Sequence, residues 1–220
     1  MLFHSTRGND SDKDFATVLM QGLADDGGLF MPDHWPQVDL EEIKSKTSFI
    51  DVAKCVVPLF TASSFSHAET IKILEDTWHD FEHSDLVGIQ TFDDVSILEL
   101  FHGPTAAFKD FGLQLAAAFF NEVLESENKT AIVLGATSGD TGGAVANGFL
   151  GVRGVDVVIL YPSGKVSDIQ EKQLTTLGQN ITALEVDGVF DDCQDMVKQA
   201  FVDEELISNI QLTSANSINV

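Results

Sequence analysis

The most informative segment of the sequence is residues 131–146, which read AIVLGATSGDTGGAVA. A short apolar run leads directly into a glycine-rich turn, and the turn leads into small residues that are compatible with a helix. This order is typical of the first half of a β–α–β unit. The segment therefore predicts a strand, a tight turn and a helix within an α/β domain.

The same alternation continues on both sides of this segment. We expect strands at residues 95–100, 131–134, 155–161, 181–186 and 210–213, and helices at 107–125, 141–150, 167–177 and 191–205. Strands that alternate with helices are joined by right-handed crossovers into a parallel sheet. We therefore assign residues 89–220 to one α/β domain.

Residues 1–88 have a different pattern. Two helical stripes of apolar side chains are visible, the first at Phe15, Val18 and Leu19 and the second at Ile71, Leu74, Trp78 and Phe81. Glycines at 27 and 28 and prolines at 32 and 36 interrupt the chain between them. We expect a helical N-terminal region that wraps or caps another domain and forms no sheet of its own.

The composition excludes several classes of partner. The 220 residues include 12 basic and 35 acidic side chains, which gives a formal net charge of −23. Such a charge repels nucleic acids and anionic membranes, although a local pocket can still bind an anion because exposed charges are screened within about 8 Å. Two cysteines and an N-terminus without a targeting pattern favour a reducing cytoplasm.

Lys109 lies at the predicted start of a helix that is apolar nearly all round. Up to Phe120, Lys109 and Asp110 are the only charged residues of this helix, and Thr105 is a candidate N-cap. We expect the helix to be buried, and burial favours the neutral amine that can form a Schiff base with a carbonyl compound. On these residues alone, an ion pair with Asp110 or an extension of the side chain into solvent remains the alternative.

The turn at residues 135–143 is a candidate anion site. Its backbone N–H groups and its hydroxyls would lie at the start of a helix, where a carboxylate or phosphate is favoured. The turn lacks the glycine spacing of the common nucleotide-binding loops. The alternative is a tight turn in which Ser138 or Thr141 only caps the helix.

The last residues of the chain begin a pattern that they do not complete. Residues 214–217, SANS, are polar, follow a predicted strand and are of the kind that starts a helix, but the chain ends at Val220. We interpret this as a truncated chain, with a natural short homologue as the alternative.

Several segments taken together resemble one enzyme family. In chain order they are QGL at 21–23, GGLF at 27–30, LFHGPT at 100–105, FKDF at 108–111, TSGDTG at 137–142, YPSGKVS at 161–167, QEKQ at 170–173 and SANSIN at 214–219. These segments resemble the threonine synthases, which are fold-type-II pyridoxal-phosphate (PLP) enzymes. The resemblance covers essentially the whole chain, and residues 102–105 distinguish it from related dehydratases and sulfhydrylases.

The resemblance implies a fold and a cofactor. The fold would be that of the tryptophan synthase β-like PLP enzymes, with a helical N-terminal region at 1–88 and a three-layer αβα domain at 89–220 that is incomplete at its C-terminus. The cofactor would be pyridoxal 5′-phosphate, bound as a Schiff base to Lys109. Lys109 would also be the general base and acid of the reaction.

The resemblance also implies the other site residues. Ser138, Gly139 and Thr141 would hold the carboxylate of the substrate, and Asp140 would lie near the ring hydroxyl of the cofactor, where the wider fold often has asparagine. Asn216 and Ser217 would belong to the pocket for the substrate phosphate. Lys165 could add positive charge nearby, or lie solvated at the surface.

The implied reaction is the last step of threonine biosynthesis. O-phospho-L-homoserine and water would give L-threonine and phosphate by γ-elimination and β-addition of water, as carried out by a cytoplasmic carbon–oxygen lyase. The groups that hold the cofactor phosphate and the pyridine nitrogen belong to the later half of the family, so we expect the 220-residue chain alone to be inactive. The sequence leaves open whether the protein is a monomer or a homodimer.

Two other function classes remain open. A threonine dehydratase or another PLP lyase would keep the lysine and the 137–142 loop without the match at Asn216 and Ser217. A protein related to threonine synthase could also bind a ligand or a partner without turnover.

Two histidine-containing motifs are set aside. Residues 79–83, HDFEH, spell an inverted zinc-protease motif, but we interpret them as the solvated end of an acidic helix, and we predict no metal site. His102, which precedes a glycine and a proline, is expected to shape the turn or line the pocket.

Overall fold

The structure is a computed structural model and describes residues 1–215. The chain forms two units, Met1–His102 and Gly103–Ala215, each with its own hydrophobic core. The boundary predicted from the sequence lay between residues 88 and 89, and the difference is the segment up to residue 102. The domain assignment itself stays a prediction.

The first unit contains short helices and two antiparallel strand pairs. Its elements are β1 (Phe3–Ser5), α1 (Phe15–Gln21), β2 (Phe30–Pro32), α2 (Leu40–Lys44), α3 (Phe49–Thr61), α4 (His67–Asp76), β3 (Gly88–Phe92) and β4 (Val95–Glu99). Side-chain caps explain where three of the helices begin: Asp14, Ser48 and Ser66 accept hydrogen bonds from backbone N–H groups at the starts of α1, α3 and α4.

The first unit has a sheet that the sequence analysis did not predict. Strand β1 pairs antiparallel with β2, with Phe3 opposite Pro32 and Ser5 opposite Phe30. Phe3 and Phe30 are both 1% exposed and form a core with Val18 and Ala24. The expectation of no sheet was wrong because β2 has only three residues, which is too short to show alternation. It lies between Gly28 and Pro36, with Pro32 as its last residue.

The second apolar stripe continues beyond its helix. We expected Ile71, Leu74, Trp78 and Phe81 to share one helix, but α4 ends at Asp76 and Thr77 is extended. Trp78 takes a positive φ of 64° and is nevertheless buried, packed edge-on against Phe49. Trp78 therefore fits the helical spacing because its ring is buried, although it lies beyond the end of the helix.

Strands β3 and β4 form a hairpin. They are joined by Asp93 and Asp94, and Asp93 has a positive φ of 52°, as tight hairpin turns require. The expected strand at residues 95–100 is present, but it pairs antiparallel with β3, and within residues 1–215 it is not a member of the parallel sheet. Periodicity alone did not distinguish the two kinds of pairing.

The second unit is a parallel sheet with helices in its crossovers. Its elements are α5 (Lys109–Glu127), β5 (Ala131–Ala136), α6 (Asp140–Gly148), β6 (Val155–Pro162), α7 (Asp168–Thr175), β7 (Ile181–Val186), α8 (Phe190–Val202), α9 (Glu204–Asn209) and β8 (Leu212–Thr213). The strand order is β7-β6-β5-β8, and each neighbouring pair is parallel. The predicted α/β architecture is confirmed.

The strand order places two strands and their loops in the middle of the sheet. Strands β5 and β6 each have a neighbour on both sides, and Val133, Val157 and Ile159 are almost completely buried. Leu134 and Leu160 form a separate cluster with Cys193 of α8. Because alternate side chains of a strand point to opposite faces, the sheet is covered on both faces.

Two helices differ from their predictions. Helix α5 buries Leu113, Phe119 and Phe120, but its other side is only half-buried and Gly112 is exposed. The single helix expected at 191–205 is divided at Asp203, which is extended and caps α9 through its side chain. Within residues 1–215, no helix has the length and apolar character needed to cross a membrane.

Candidate functional site

Lys109 is the first residue of α5, which begins two residues later than the predicted helix at 107–125. It is half-buried, and its Nζ atom lies 4.6 Å from the centre of the exposed Phe108 ring. The neighbouring carboxylate of Asp110 is 1% exposed and binds Thr105. The arrangement therefore differs from the alternative in which Lys109 forms an ion pair with Asp110.

The loop before α5 is closed by Asp110. One carboxylate oxygen of Asp110 accepts a hydrogen bond from the Thr105 backbone N–H (2.9 Å), and the other accepts one from the Thr105 hydroxyl (2.5 Å). Thr105 is therefore not the N-cap that we expected, because its hydroxyl points to Asp110 and the N-cap of α5 is Phe108, which makes no side-chain capping bond. Gly103 packs so closely on the Asp110 carboxylate that a β-carbon there would overlap it.

The glycine-rich loop follows the central strand β5. Thr137, which is 3% exposed, organises the loop from inside. Its hydroxyl accepts hydrogen bonds from the N–H groups of Gly139 (3.2 Å) and Gly142 (3.0 Å) and donates one to the Gly139 carbonyl (3.0 Å). The loop is therefore held in one shape by its own buried threonine.

The predicted anion-binding residues lie at the start of α6. Gly139 is the N-cap, Asp140 is the first helical residue, and the helix has no side-chain cap. The alternative in which Ser138 or Thr141 only caps the helix therefore does not apply. Ser138 is exposed and Thr141 is half-buried, so the positive end of the helix is close to accessible hydroxyls.

Helix α7 contacts both the loop before Lys109, residues 103–108, which we call the Lys109 loop, and the glycine-rich loop, residues 137–141. The side-chain amide of Gln170 donates a hydrogen bond to Asp140 (2.8 Å), and that of Gln173 donates one to the Thr105 carbonyl (3.3 Å). Residues three apart on a helix lie on one face. One face of α7 therefore contacts both loops that the sequence analysis singled out.

Sequence reasoning missed the residues that hold these loops. Thr137, Gln170 and Gln173 belong to the quoted motifs but were given no role, and Asp110 was considered only as an ion-pair partner of Lys109. The available signal was the position of Thr137 and Asp110 next to predicted site residues. The partners of the two glutamines are more than 25 residues away in the chain, so local patterns could not reveal them.

Two predicted site residues lie outside the described part of the chain. Asn216 and Ser217 are beyond residue 215, so the proposed phosphate pocket has no structural description. Lys165 is exposed in the turn that follows β6. The end of β6 also carries Tyr161, whose phenol pKa is raised by burial and, to a smaller extent, by Glu171 and Glu185.

The two histidine motifs lie in the first unit. Residues 77–87 are not helical, so His79 and His83 do not have the one-turn helical spacing that the zinc-protease motif requires. Among residues 1–215, no group of three His, Cys, Asp or Glu side chains is placed to hold a metal ion. His102 pairs with Glu99 (3.0 Å) and its ring lies 4.9 Å from that of His83.

Two family descriptions match the chain. Residues 2–78 match the family described as threonine synthase N terminus. Residues 93–218, more than half of the chain, match the family described as pyridoxal-phosphate dependent enzyme.

Relatives of known function are similar over the whole chain. The threonine synthase of Pseudomonas aeruginosa is 42% identical over 100% of this chain and 48% of its own length. The threonine synthase of Escherichia coli is 41% identical over 100% of this chain and 50% of its own length. The chain thus spans about half the length of these relatives.

Solved structures give the same result. PLP-bound threonine synthase from Brucella melitensis superposes with a TM-score of 0.92 at 40% identity, covering 100% of this chain and 48% of that one. Threonine synthase from Escherichia coli superposes with a TM-score of 0.84 at 42% identity, covering 100% of this chain and 50% of that one. The chain therefore belongs to the pyridoxal-phosphate dependent enzyme family, and within that family its whole length is similar to the threonine synthases.

Proposed function

We propose that the protein takes part in the threonine synthase reaction, in which O-phospho-L-homoserine and water give L-threonine and phosphate. The observation that supports this most directly is the attachment of the Lys109 loop and the 137–141 loop to one face of α7. A helix that positions both an amine and an anion-binding loop can hold the amine near the reacting carbons of an amino-acid substrate and the loop near its carboxylate. The proposed compartment is the cytoplasm.

The residues present fit pyridoxal phosphate and the carboxylate of its amino-acid substrate. Lys109 supplies a primary amine at the start of a helix whose adjacent carboxylate is already occupied by Thr105. The start of α6 supplies backbone N–H groups for the substrate carboxylate, and Gly142 allows the first turn of the helix to pack closely on Thr137. Lys109 would hold the cofactor aldehyde covalently.

The chain's own residues would bind the substrate and move its protons. The N–H groups and hydroxyls of Ser138 and Thr141 would hold the substrate carboxylate beside Gly139, whose own N–H is bonded to Thr137. The helix dipole favours an anion at this position. The Lys109 amine would take protons from Cα and Cβ and return protons where the product needs them. The cofactor, when bound, supplies an electron sink for this chemistry.

The remaining atoms balance within the substrate and one water molecule. The Cγ–O bond breaks and phosphate leaves. Cβ loses one proton and Cγ gains one to become the methyl group of threonine, while the proton removed from Cα is replaced. The hydroxyl of water bonds to Cβ, and the remaining proton of water goes to the phosphate. Asn216 and Ser217 would hold the departing phosphate. Asp140 would lie near the ring hydroxyl of the cofactor, fixed there by Gln170.

The cofactor assignment is tested by covalent trapping. We would incubate the protein with PLP, reduce it with borohydride and locate the added mass by peptide mass spectrometry, comparing wild type with Lys109→Ala and with Lys129→Ala, an exposed lysine in the same unit. The expected result is an adduct on Lys109 that only Lys109→Ala abolishes. An adduct spread equally over surface lysines would contradict the assignment.

The reaction is tested by phosphate release. We expect a protein that includes the second half found in relatives to release phosphate from O-phospho-L-homoserine and to form threonine, and the 220-residue chain to bind PLP without turnover. Threonine production by the purified 220-residue chain would contradict the second expectation. Trapped PLP without phosphate release by the longer protein would point to another PLP lyase.

A further inference from the structure

Helix α7 is held in place by the cap at its start and by the core. Ser167 caps its start by accepting a hydrogen bond from the Gln170 N–H (3.3 Å), and Leu174 is 1% exposed in the core. The Gln170 side-chain oxygen accepts from the Ser167 N–H (3.2 Å) and hydroxyl (3.0 Å). Because that oxygen is already used, the NH₂ group of Gln170 is the end that faces Asp140.

The Lys109 loop is anchored to the same helix through Thr105. Its N–H and hydroxyl bind Asp110, and its carbonyl accepts the hydrogen bond from Gln173. All three polar groups of Thr105 are therefore used, four residues before Lys109. The bond from Gln173 connects this closed loop to α7.

We infer that Gln170 and Gln173 are positioning residues, which hold the Lys109 loop and the start of α6 at a fixed separation so that both can engage one ligand. This inference rests on the proposed function of Lys109 and of the 137–141 loop. Neither glutamine is assigned chemistry of its own, and each acts through the residue that it binds.

The surroundings of these bonds favour a positioning role over a purely structural one. The Gln170–Asp140 bond is exposed, and an exposed hydrogen bond contributes little to folding because water replaces either partner. A neutral amide also holds the Asp140 carboxylate without adding charge beside the anion-binding loop. Loss of the Gln170–Asp140 bond should therefore change ligand capture more than the stability of the fold. The Gln173–Thr105 bond is partly buried, so its effect on stability is measured separately.

The test compares Gln170→Glu and Gln173→Met with Gln199→Met, an exposed glutamine on α8 of the same unit. Gln170→Glu keeps the side-chain oxygen that accepts from Ser167 and loses the NH₂ group that donates to Asp140. The rate at which PLP becomes reducible onto Lys109 is measured by quenching with borohydride at successive times and quantifying the Lys109 peptide. The absorbance spectrum of bound PLP and the thermal unfolding midpoint are recorded for each variant.

We expect each of the two variants to slow capture on Lys109 about fivefold, the effect of one lost hydrogen bond, while Gln199→Met and the unfolding midpoint of Gln170→Glu match wild type. Capture rates and spectra equal to wild type in both variants would overturn the inference and leave the proposed function standing. Absence of capture by wild type would overturn the proposed function and the inference with it. If Gln173→Met does not fold, Gln173→Glu, which keeps the shape but loses the donor, carries the same expectation.

Discussion

At the scale of single residues, the two loops of the site depend on contacts that leave no room for larger side chains. Gly142 is buried in the first turn of α6, and a β-carbon there would overlap the side chain of Thr137. Thr137 cannot move away without losing its bonds to Gly139 and Gly142. The glycine and the threonine therefore form one unit that sets the shape of the loop.

Replacement of Gly142 by alanine should destabilise the protein by about 1–3 kcal/mol, because the added methyl group forces a shift in a packed region. Gly112→Ala is the matched control, since Gly112 lies on the exposed side of α5 with open space around its Cα. There we expect a gain of about 0.5–1 kcal/mol from helix propensity. Urea denaturation measures both, and equal effects at the two positions would contradict the argument.

At the scale of secondary structure elements, the sequence was most informative where an apolar run lies between turn residues. Residues 155–161, 181–186 and 131–134 were predicted as strands, and β6, β7 and β5 contain them. The apolar run after Lys109 predicted a helix from residue 107, and α5 begins two residues later, at Lys109. Elements held by distant partners were missed, such as β1, whose three residues are specified by pairing with β2.

The residues of the candidate site also fall into those that a local motif indicates and those that only distant contacts specify. Lys109, Ser138, Gly139, Asp140 and Thr141 lie in motifs that are contiguous in sequence, so they could be named before the structure was known. The attachment of both loops to α7 spans 30 residues for Gln170 and Asp140 and 68 for Gln173 and Thr105. Only the folded topology brings those residues together.

The connection between β1 and β2 makes the first unit sensitive to acid. Asp26 accepts hydrogen bonds from the Ser5 hydroxyl, the Gly28 N–H and the Asn9 N–H. The bond from Ser5 chiefly, together with these N–H groups and the charge of Arg7, lowers the pKa of Asp26, against an opposing effect of desolvation. The ionised carboxylate is thus favoured in the folded state.

A lowered folded-state pKa contributes stability that is present above the unfolded pKa and is lost as pH falls through the folded value. We therefore expect the unfolding midpoint of the first unit to fall as pH drops below about 4. Asp26→Asn should remove part of that dependence, whereas Asp94→Asn, in the exposed hairpin turn, should not. Thermal scans between pH 3 and 7 measure this, and parallel curves for wild type and Asp26→Asn would contradict it.

At the scale of the whole molecule, the β3–β4 hairpin carries more exposed apolar surface than a surface hairpin usually does. Ile89 and Leu98 lie on one face, and Phe92, Val95 and Ile97 lie on the other, and all five are more than half exposed. Strands that are apolar on both faces are characteristic of positions inside a sheet. The hairpin is therefore expected to bind apolar probes and to promote self-association.

The 220-residue chain should enhance the fluorescence of an apolar dye such as anilinonaphthalene sulfonate in its folded state. The double variant Phe92→Ser, Ile97→Thr should lower that fluorescence several-fold, because two of the largest exposed side chains are removed. Ile207→Thr, an isolated exposed apolar residue on α9, is the control and should have little effect. Equal dye binding by all three proteins would show that the hairpin is not the apolar surface involved.

The strand order of the second unit also has a consequence for synthesis on the ribosome. Strands β5, β6 and β7 emerge in the order in which they pair, so this part of the sheet can form as translation proceeds. Strand β8 pairs with the opposite edge of β5, whose partner residues lie about 80 positions earlier, with Thr213 beside Val133. That edge of β5 therefore stays unpaired while six further elements leave the exit tunnel. During this time, a chaperone that recognises extended apolar segments can bind there.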